Sequence, residues 1–217
     1  LIKLRFKNIE NMYMGKVKPL NVKQSLAFDM LQSKNIGVNL ITGAQGTGKD
    51  YIMLAHMLQA LDKEEFNKIV FIRNIQPLKN MGETGFLKGD LEAKMKSWLL
   101  PVADESRGED ALQMLIDRGK IEIQHGEAIR GRSYINSAVY VTECQNLTSE
   151  IVKVLLARIG YGSKLFINGD LEQTDSSVFN SHSGIKALTK LQGNSLFGMV
   201  ELDKTERSEI ATLSELI

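Results

Sequence analysis

One stretch decides the fold of this chain, residues 37–50: Gly-Val-Asn-Leu-Ile-Thr-Gly-Ala-Gln-Gly-Thr-Gly-Lys-Asp. A short apolar run leads into its glycine-rich turn, and apolar residues at helical spacing follow, from Ile52 to Leu61. Strand, loop and helix around G-x-x-x-x-G-K form the phosphate-binding P-loop pattern. The glycines let backbone N–H groups surround phosphate oxygens, and the helix adds the positive end of its dipole. A plain glycine-rich turn is the alternative, but the third glycine, Gly46, and the strand–helix context favour the P-loop.

Position 50 departs from the P-loop pattern. Lys49 is expected to place its charge on the β- and γ-phosphates of a bound nucleotide, and the next residue is normally Ser or Thr. That hydroxyl ordinarily ligates Mg²⁺, whereas this chain has Asp50. We therefore treat Asp50 as a candidate metal ligand of unusual chemistry.

Composition is that of an ordinary globular protein. The chain has 217 residues, of which 43% are hydrophobic and 24% charged, and its formal net charge is +1. A near-zero net charge excludes a global polycation, so nucleic-acid binding needs local basic patches. The lone cysteine, Cys144, excludes an intramolecular disulfide and a cysteine-based zinc cluster. With no membrane-length apolar run and no signal-peptide pattern, we expect a cytoplasmic location and no membrane partner.

Strands and helices are predicted to alternate along the chain. We expect an irregular lead-in over residues 1–18, one domain over 19–217, and Gly160 as the C′ residue of its helix. The expected strands after the P-loop are 68–73, 121–123, 138–142, 164–168 and 199–202, and the expected helices are 19–33, 90–100, 109–118, 148–160, 184–192 and a last one from 209. Alternation of this kind predicts an α/β fold, a mostly parallel sheet with helices on both faces.

A carboxylate follows the strand at 138–142. In P-loop ATPases the corresponding strand usually ends Asp-Glu, where the Asp supports Mg²⁺ and the Glu polarises the attacking water. Here the strand ends with Thr142 and Glu143, so Glu143 is the candidate catalytic carboxylate and Thr142 a candidate at the metal.

Two glutamines are candidates for nucleotide contact. Gln24 precedes the P-loop in the first turn of a predicted helix, and an amide can donate to and accept from an adenine edge. A solvated surface glutamine is the alternative. Gln173 ends a G-D-x-x-Q stretch after a buried strand, where its amide could lie beside the γ-phosphate; an ordinary strand-to-loop turn is the alternative there.

Four arginines are candidates for phosphate contact. Arg73 ends a buried strand, at the edge of the sheet where ligands of α/β proteins bind. Arg130 and Arg132 flank a glycine in a loop, and arginine presents a rigid fork of donors that suits phosphate. Arg207 lies at a predicted helix start. For Arg130, Arg132 and Arg207 an exposed surface position is the alternative.

Several stretches, taken together and in order, resemble the PhoH-like ATPases. They are Gly43-Ala-Gln-Gly-Thr-Gly-Lys49, Gly85-Phe-Leu-Lys-Gly-Asp-Leu-Glu-Ala-Lys94, Ile129-Arg-Gly-Arg-Ser133, Glu143-Cys-Gln-Asn146, Arg158-Ile-Gly-Tyr-Gly-Ser-Lys164, Asn168-Gly-Asp-Leu-Glu-Gln173 and Glu206-Arg-Ser208. The resemblance implies a RecA-like core related to superfamily 1 helicases, Mg²⁺-dependent ATP hydrolysis, action on RNA, and ring-shaped homo-oligomers, with a hexamer as the expected ring. Some relatives carry an N-terminal PIN ribonuclease domain, whose acidic motif is not found in this sequence, so we expect no nuclease activity from this chain.

The resemblance also implies roles for individual residues. Catalytic roles fall on Lys49, Glu143, Gln173 and Arg207. Nucleotide binding falls on Gln24, Gly43, Ala44, Gln45, Gly46, Thr47, Gly48, Lys49, Asp50 and Tyr51. Three positions depart from the usual family pattern: Asp50 stands for Thr or Ser, Thr142 for Asp, and Asn168 for Thr.

Two function classes remain open on the sequence. The first is an ATP-hydrolysing domain coupled to RNA, in which Asp50 and Thr142 have exchanged roles at the metal and Thr142 donates a hydrogen bond to Asp50 or to a metal-bound water. The second is a binding module, in which both positions have lost metal binding and ATP or ADP serves assembly. A nucleotide kinase shares the P-loop, but such kinases usually need an arginine-rich lid, which the sequence does not show.

Overall fold

The computed structural model describes residues 5–73, 109–125, 129, 131–170 and 183–206. Its strands are β1 (Ile9–Asn11), β2 (Gly15–Val17), β3 (Val38–Gly43), β4 (Lys68–Arg73), β5 (Ile121–His125), β6 (Ser137–Val141), β7 (Lys164–Gly169) and β8 (Phe197–Leu202). Its helices are α1 (Val22–Gln32), α2 (Lys49–Asp62), α3 (Glu109–Asp117), α4 (Ser149–Arg158) and α5 (Gly184–Thr189), with a 3-10 turn at Cys144–Asn146. In these ranges no helix combines the length and the apolar character needed to cross a membrane.

Six strands form one parallel sheet in the order β5-β4-β6-β7-β3-β8. The predicted α/β fold with a parallel sheet is therefore confirmed. Because the strands run the same way, their carboxyl ends meet at one edge, where α/β proteins bind ligands. The loop after β3 leaves this edge between β7 and β8. The predicted helices at 90–100 and from residue 209 lie outside the described residues.

Helices cover both faces of the sheet. On one face α1 and α2 pack through residues such as Phe28 and Met53. On the other, α4 and α5 pack through Leu155 and Leu188. The neighbouring β3 residues Leu40 and Ile41 belong to opposite clusters, as the alternation of side chains along a strand requires. The P-loop strand is thus buried on both sides and gives the loop a rigid base.

The prediction of an irregular lead-in is wrong for part of that segment. Strands β1 and β2 form an antiparallel hairpin. Asn11 organises its turn, because its Oδ1 accepts hydrogen bonds from the backbone N–H groups of Tyr13 and Met14 at 3.0 and 2.8 Å. Its Nδ2 donates to the Ala55 carbonyl oxygen of α2 at 3.1 Å. Three-residue strands are too short to show a period in the sequence, and the contact with α2 is long-range.

Gly160 is the C′ residue of its helix, as predicted, because the C-cap residue is Ile159. The helix before it begins after its N-cap, Thr148, as predicted. Gly160 is not the left-handed glycine of this turn, however; Gly162 is, with a φ of +69°. A Cβ atom on Gly160 would lie 2.7 Å from the carbonyl oxygen of Tyr134, so the glycine is needed for the close approach of two backbone segments.

Candidate functional site

The P-loop has the geometry that its sequence predicts. Strand β3 ends at Gly43 and α2 begins at Lys49. Gly46 and Gly48 both adopt left-handed conformations with φ of +86°, which residues with a Cβ atom rarely adopt. A Cβ on Gly43 would lie 2.4 Å from the carbonyl oxygen of Leu202, because β8 passes close to the start of the loop. The glycines are therefore required by backbone conformation and by the approach of the neighbouring strand.

Lys49 is held at the loop by a backbone carbonyl. Its Nζ donates a hydrogen bond to the Ala44 oxygen at 3.1 Å, and the Thr47 hydroxyl donates to the same oxygen at 2.9 Å. A phosphate oxygen is a stronger acceptor for this ammonium group, because the hydrogen bond would then join opposite charges. Ala44 and Gln45 are exposed on the loop, and Tyr51 is 38% exposed on the first turn of α2.

Gln24 supports the P-loop from α1. The side chain is buried at 4% exposure. Its Nε2 donates to the Thr47 carbonyl oxygen at 3.1 Å, and its Oε1 accepts from the Leu20 backbone N–H at 2.8 Å. Both ends of the amide are thus engaged within the protein. The contact with adenine stays a prediction, and the loop contact is a role that the sequence did not indicate.

The segment after β8 also supports the P-loop. The Glu206 backbone N–H donates to the Gly46 carbonyl oxygen at 3.0 Å. The Glu206 Oε1 accepts from Nδ2 of Asn21, the N-cap residue of α1, at 2.8 Å. No local sequence signal could have predicted this contact, since it joins three distant parts of the chain. Arg207 follows directly, but lies outside the described residues.

Glu143 lies at the carboxyl edge of the sheet, exposed, just after β6. Its backbone is left-handed, with φ of +57°, an uncommon conformation for a residue with a Cβ atom. Its Oε2 accepts from Gln145 Nε2 at 2.5 Å, and Gln145 Oε1 accepts from the Asp170 backbone N–H at 3.1 Å. Gln145, which the sequence analysis did not single out, therefore orients the candidate catalytic carboxylate and ties it to the end of β7.

Asp50 is held by two neutral donors. Its Oδ1 accepts from the Tyr140 hydroxyl at 2.7 Å and from Asn168 Nδ2 at 2.5 Å. Asn168 Nδ2 also lies 2.6 Å from the Tyr140 hydroxyl oxygen, which accepts from it. Burial, followed by the charge of Asp50, raises the pKa of Tyr140 well above its ordinary value, so the phenol stays protonated and can donate.

The expected hydrogen bond from Thr142 to Asp50 is not formed. The carboxylate is reached instead by the longer side chain of Tyr140, two residues earlier. The Thr142 hydroxyl is buried and has no hydrogen-bond partner in the described part of the chain. Whether it bonds a metal-bound water, the other option from the sequence, stays a prediction.

The oxygen atoms at this edge fit a magnesium–nucleotide complex. Mg²⁺ prefers hard oxygen ligands and keeps several waters, and here an unpaired buried hydroxyl on Thr142 accompanies the carboxylates of Asp50 and Glu143. The described residues contain no group of three or more His, Cys, Asp or Glu that could hold a metal by itself. The ion would therefore be held jointly by these residues and the phosphates.

Arg132 does not contact the described residues around the P-loop. It pairs with Glu122 on β5, the edge strand separated from β3 by three others. Glu122 also accepts from Lys68 Nζ and Gln124 Nε2, each at 2.6 Å. Burial alone would raise the pKa of Glu122, but hydrogen bonds from Lys68, Arg132 and Gln124 lower it to about 2. The carboxylate is thus ionised and shared by two cations.

The remaining candidates cannot be placed in the site. Arg130, Gln173 and Arg207 lie outside the described residues, and of Arg73 only the backbone, at the end of β4, is described. Their roles stay predictions.

The fold and this loop define a P-loop protein of the nucleotide-binding α/β class. The family model described as "PhoH-like protein" matches residues 16–213, so the chain belongs to the PhoH-like family. It is 35% identical over 210 residues to "Protein PhoH2" of Bacillus subtilis (strain 168), a match covering 91% of this chain and 47% of that protein. It is 36% identical over 168 residues to the "PhoH-like protein" of the same organism, covering 76% and 52%. The chain spans about half the length of these curated relatives.

A solved structure agrees on the fold. The large terminase from a thermophilic bacteriophage superposes with a TM-score of 0.54 over 91% of this chain and 50% of the terminase chain. Sequence identity is 14%, so the likeness concerns the fold alone. It agrees with the predicted α/β fold built on a parallel sheet.

Proposed function

We propose that this domain binds ATP with Mg²⁺ and hydrolyses it. One observation carries the proposal: a chain of hydrogen bonds joins the P-loop helix to the backbone of Glu143, the residue that bears the candidate catalytic carboxylate. Asp50 beside Lys49 accepts from Asn168, and Asn168 Oδ1 accepts from the Glu143 backbone N–H at 3.2 Å. The first turn of the P-loop helix and the backbone that carries the candidate carboxylate are therefore linked through a single side chain, Asn168.

Each residue has a defined chemical task in such a site. The loop N–H groups and Lys49 bind the phosphates and stabilise the charge that develops during transfer of the γ-phosphoryl group. Glu143, oriented by Gln145, accepts a hydrogen bond from the attacking water and aligns it. Mg²⁺, when bound, supplies positive charge to the β- and γ-phosphate oxygens.

We further propose that hydrolysis is coupled to RNA in a homo-oligomeric, hexameric ring located in the cytoplasm. Support comes from membership of the PhoH-like family and from the cluster around Glu122 of the edge strand, where two cations, Lys68 of β4 and Arg132, pair with one carboxylate. The surplus positive charge makes this edge a candidate for phosphate contact.

The second candidate is a binding module without useful turnover. It is favoured by the exchange of residue types at positions 50 and 142 and by the missing hydrogen bond between Thr142 and Asp50. In that case nucleotide would bind at the P-loop and stabilise assembly.

Steady-state ATP hydrolysis decides between these functions. The protein is assayed with Mg²⁺ and with EDTA, each with and without single-stranded RNA, and ADP binding is measured in parallel. Mg²⁺-dependent turnover supports the first proposal, and stimulation by RNA supports the coupling. Nucleotide binding without turnover supports the module. Failure to bind nucleotide under any of these conditions contradicts both.

A further inference from the structure

One side chain lies at the centre of the site. Asn168 is 1% exposed, near the carboxyl end of β7, between the strand that leads to Glu143 and the strand that leads to the P-loop. Its amide bonds in both directions: Nδ2 donates to the Asp50 carboxylate, and Oδ1 accepts from the Glu143 backbone N–H. A buried amide with its donor and acceptor ends on two candidate active residues can fix their relative positions.

The hydrogen bonds on Asp50 set the direction of its carboxylate. Tyr140 and Asn168 both donate to Oδ1, while Asp50 itself is exposed. Among the described residues, neither donor bonds the second oxygen, Oδ2. Both donors are neutral, so the full negative charge of the carboxylate remains for a cation, which a lysine or arginine partner would have neutralised.

The same amide supports the backbone at Glu143. A left-handed conformation with φ of +57° costs energy for a residue with a Cβ atom and persists only where neighbouring contacts enforce it. The 3.2 Å hydrogen bond to Asn168 Oδ1 is such a contact. Without it, the direction in which Glu143 leaves the strand end would be less well defined.

We propose that Tyr140 and Asn168 are positioning residues that present the Asp50 carboxylate to the divalent cation of a bound nucleotide, and that Asn168 also fixes the backbone that carries Glu143. The inference rests on the proposed binding of a nucleotide with Mg²⁺. According to this inference, Tyr140 affects only the binding of the cation. Asn168 affects both the binding of the cation and the rate of hydrolysis. If the two residues only stabilised the fold, each substitution would weaken cation binding and hydrolysis together. A different effect of the two substitutions on hydrolysis therefore distinguishes the inference from a merely structural role.

The experiment compares Tyr140→Phe, which removes only a hydroxyl, with Asn168→Leu, which removes both hydrogen-bonding ends and keeps the same number of side-chain heavy atoms. Tyr134→Phe is the matched control, because it removes a buried hydroxyl bonded to Gln124 on the far side of the sheet. Binding of a fluorescent ADP analogue is titrated with Mg²⁺, and kcat is measured at saturating ATP and Mg²⁺. Thermal unfolding checks that each variant is folded.

We expect both site variants to raise the Mg²⁺ concentration for half-maximal nucleotide binding by about tenfold, the scale of one hydrogen bond to a charged group. Asn168→Leu should in addition lower kcat at saturating Mg²⁺ by about tenfold, a larger loss than in Tyr140→Phe, whereas the control Tyr134→Phe should leave kcat within about twofold. If Asn168→Leu does not fold, the smaller Asn168→Thr replaces it. Threonine is too short to span both contacts, so the same shifts are expected.

Each contrary result has a definite meaning. Unchanged Mg²⁺ midpoints in both variants, or nucleotide binding by the parent that ignores Mg²⁺, overturn the inference and leave nucleotide binding intact. Equal losses of kcat in both variants overturn the separate role of Asn168. A parent that binds nucleotide but does not hydrolyse it refutes the ATPase proposal, while the Mg²⁺ midpoints still decide the role of Tyr140 and Asn168. A parent that binds no nucleotide overturns the proposed function and the inference with it.

Discussion

Gln24 of α1 donates a hydrogen bond from Nε2 to the Thr47 carbonyl oxygen of the P-loop at 3.1 Å. The contact joins a helix that precedes the P-loop strand to the loop itself, 23 residues away in sequence. Phosphate is expected to bind to backbone N–H groups of this loop, and a donor that holds one of the loop carbonyls also fixes the direction of these amides. The side chain that the sequence assigns to the base therefore acts, in the structure, on the phosphate-binding end of the site.

This relationship predicts the effect of Gln24→Leu. Loss of the amide should loosen the loop and weaken binding of ATP and GTP alike, by about five- to tenfold, since the buried hydrogen bond to the Thr47 carbonyl oxygen is lost. Competition binding with the two nucleotides measures the effect. Gln32→Leu, at the other end of the same helix, is the control. A loss confined to ATP would instead assign Gln24 to the adenine.

Lys49→Ala should abolish most of the hydrolysis. The ammonium group stabilises charge on the transferred phosphoryl group, so kcat should fall by about a hundredfold or more. The exposed Lys63 near the other end of α2 provides the matched control, Lys63→Ala, which should hydrolyse ATP at the parental rate. Parental turnover by Lys49→Ala would show that this segment is not the catalytic P-loop.

The exchange of residue types at the metal site is tested by a double-mutant cycle. We expect Asp50→Thr and Thr142→Asp each to lower Mg²⁺-dependent hydrolysis, and the double variant to recover activity relative to the weaker single variant. The double variant again has one hydroxyl and one carboxylate at the proposed cation site, with the hydroxyl at position 50 and the carboxylate at position 142. Additive losses without recovery, measured as kcat/KM, would favour the binding-module function.

His56 should make stability depend on pH. The side chain is buried on α2, and burial, followed by the charges of Lys164 and Lys63, lowers its pKa from 6.5 to about 3. The unfolded chain binds a proton below pH 6.5 that the folded protein does not, so stability is full above 6.5 and falls as the pH drops toward 3. Between pH 6.5 and 5.0 the free energy of unfolding should fall by about 2 kcal/mol.

Denaturant unfolding across this pH range checks the effect, with His56→Leu as the comparison. The variant should lose most of the pH dependence above pH 5. Glu122, whose pKa is lowered from 4.5 to about 2, contributes its own loss only below pH 4.5, so it does not account for the change in stability between pH 6.5 and 5.0. An unchanged slope in His56→Leu between pH 6.5 and 5.0 would exclude His56 as the cause.

Binding to RNA should depend steeply on salt. If Arg132 contacts a phosphate, the logarithm of the affinity for single-stranded RNA falls linearly with the logarithm of salt concentration, and Arg132→Ala reduces that slope by about one. ATP affinity should not change, because Arg132 pairs with the edge strand β5 and does not lie beside the P-loop. Arg118→Ala, at an exposed arginine just after α3, is the control. Failure of the parent protein to bind RNA at low salt would refute the RNA proposal.

The sequence by itself determined the P-loop and the architecture around it. A strand, three glycines, a lysine and a helix occupy 25 consecutive residues, 37 to 61, so the spacing of residues along the chain is enough to specify their arrangement. The same local patterns predicted the bounds of β4, β6 and β7 to within one or two residues. They also predicted that Glu143 follows the end of a strand. It failed for the hairpin β1–β2, whose strands are too short to carry a period and whose stability comes from contact with α2.

Only the tertiary structure decided which side chains meet at the site. Asp50 takes its hydrogen bonds from Tyr140, 90 residues away, and Asn168, 118 residues away, rather than from Thr142. These contacts exist because the sheet places β7 directly between β6 and β3 and sets the register of the three strands. Strand order and register arise from the packing of the whole chain. A hydrogen bond also requires donor and acceptor within about 3 Å, a precision that local periodicity does not specify.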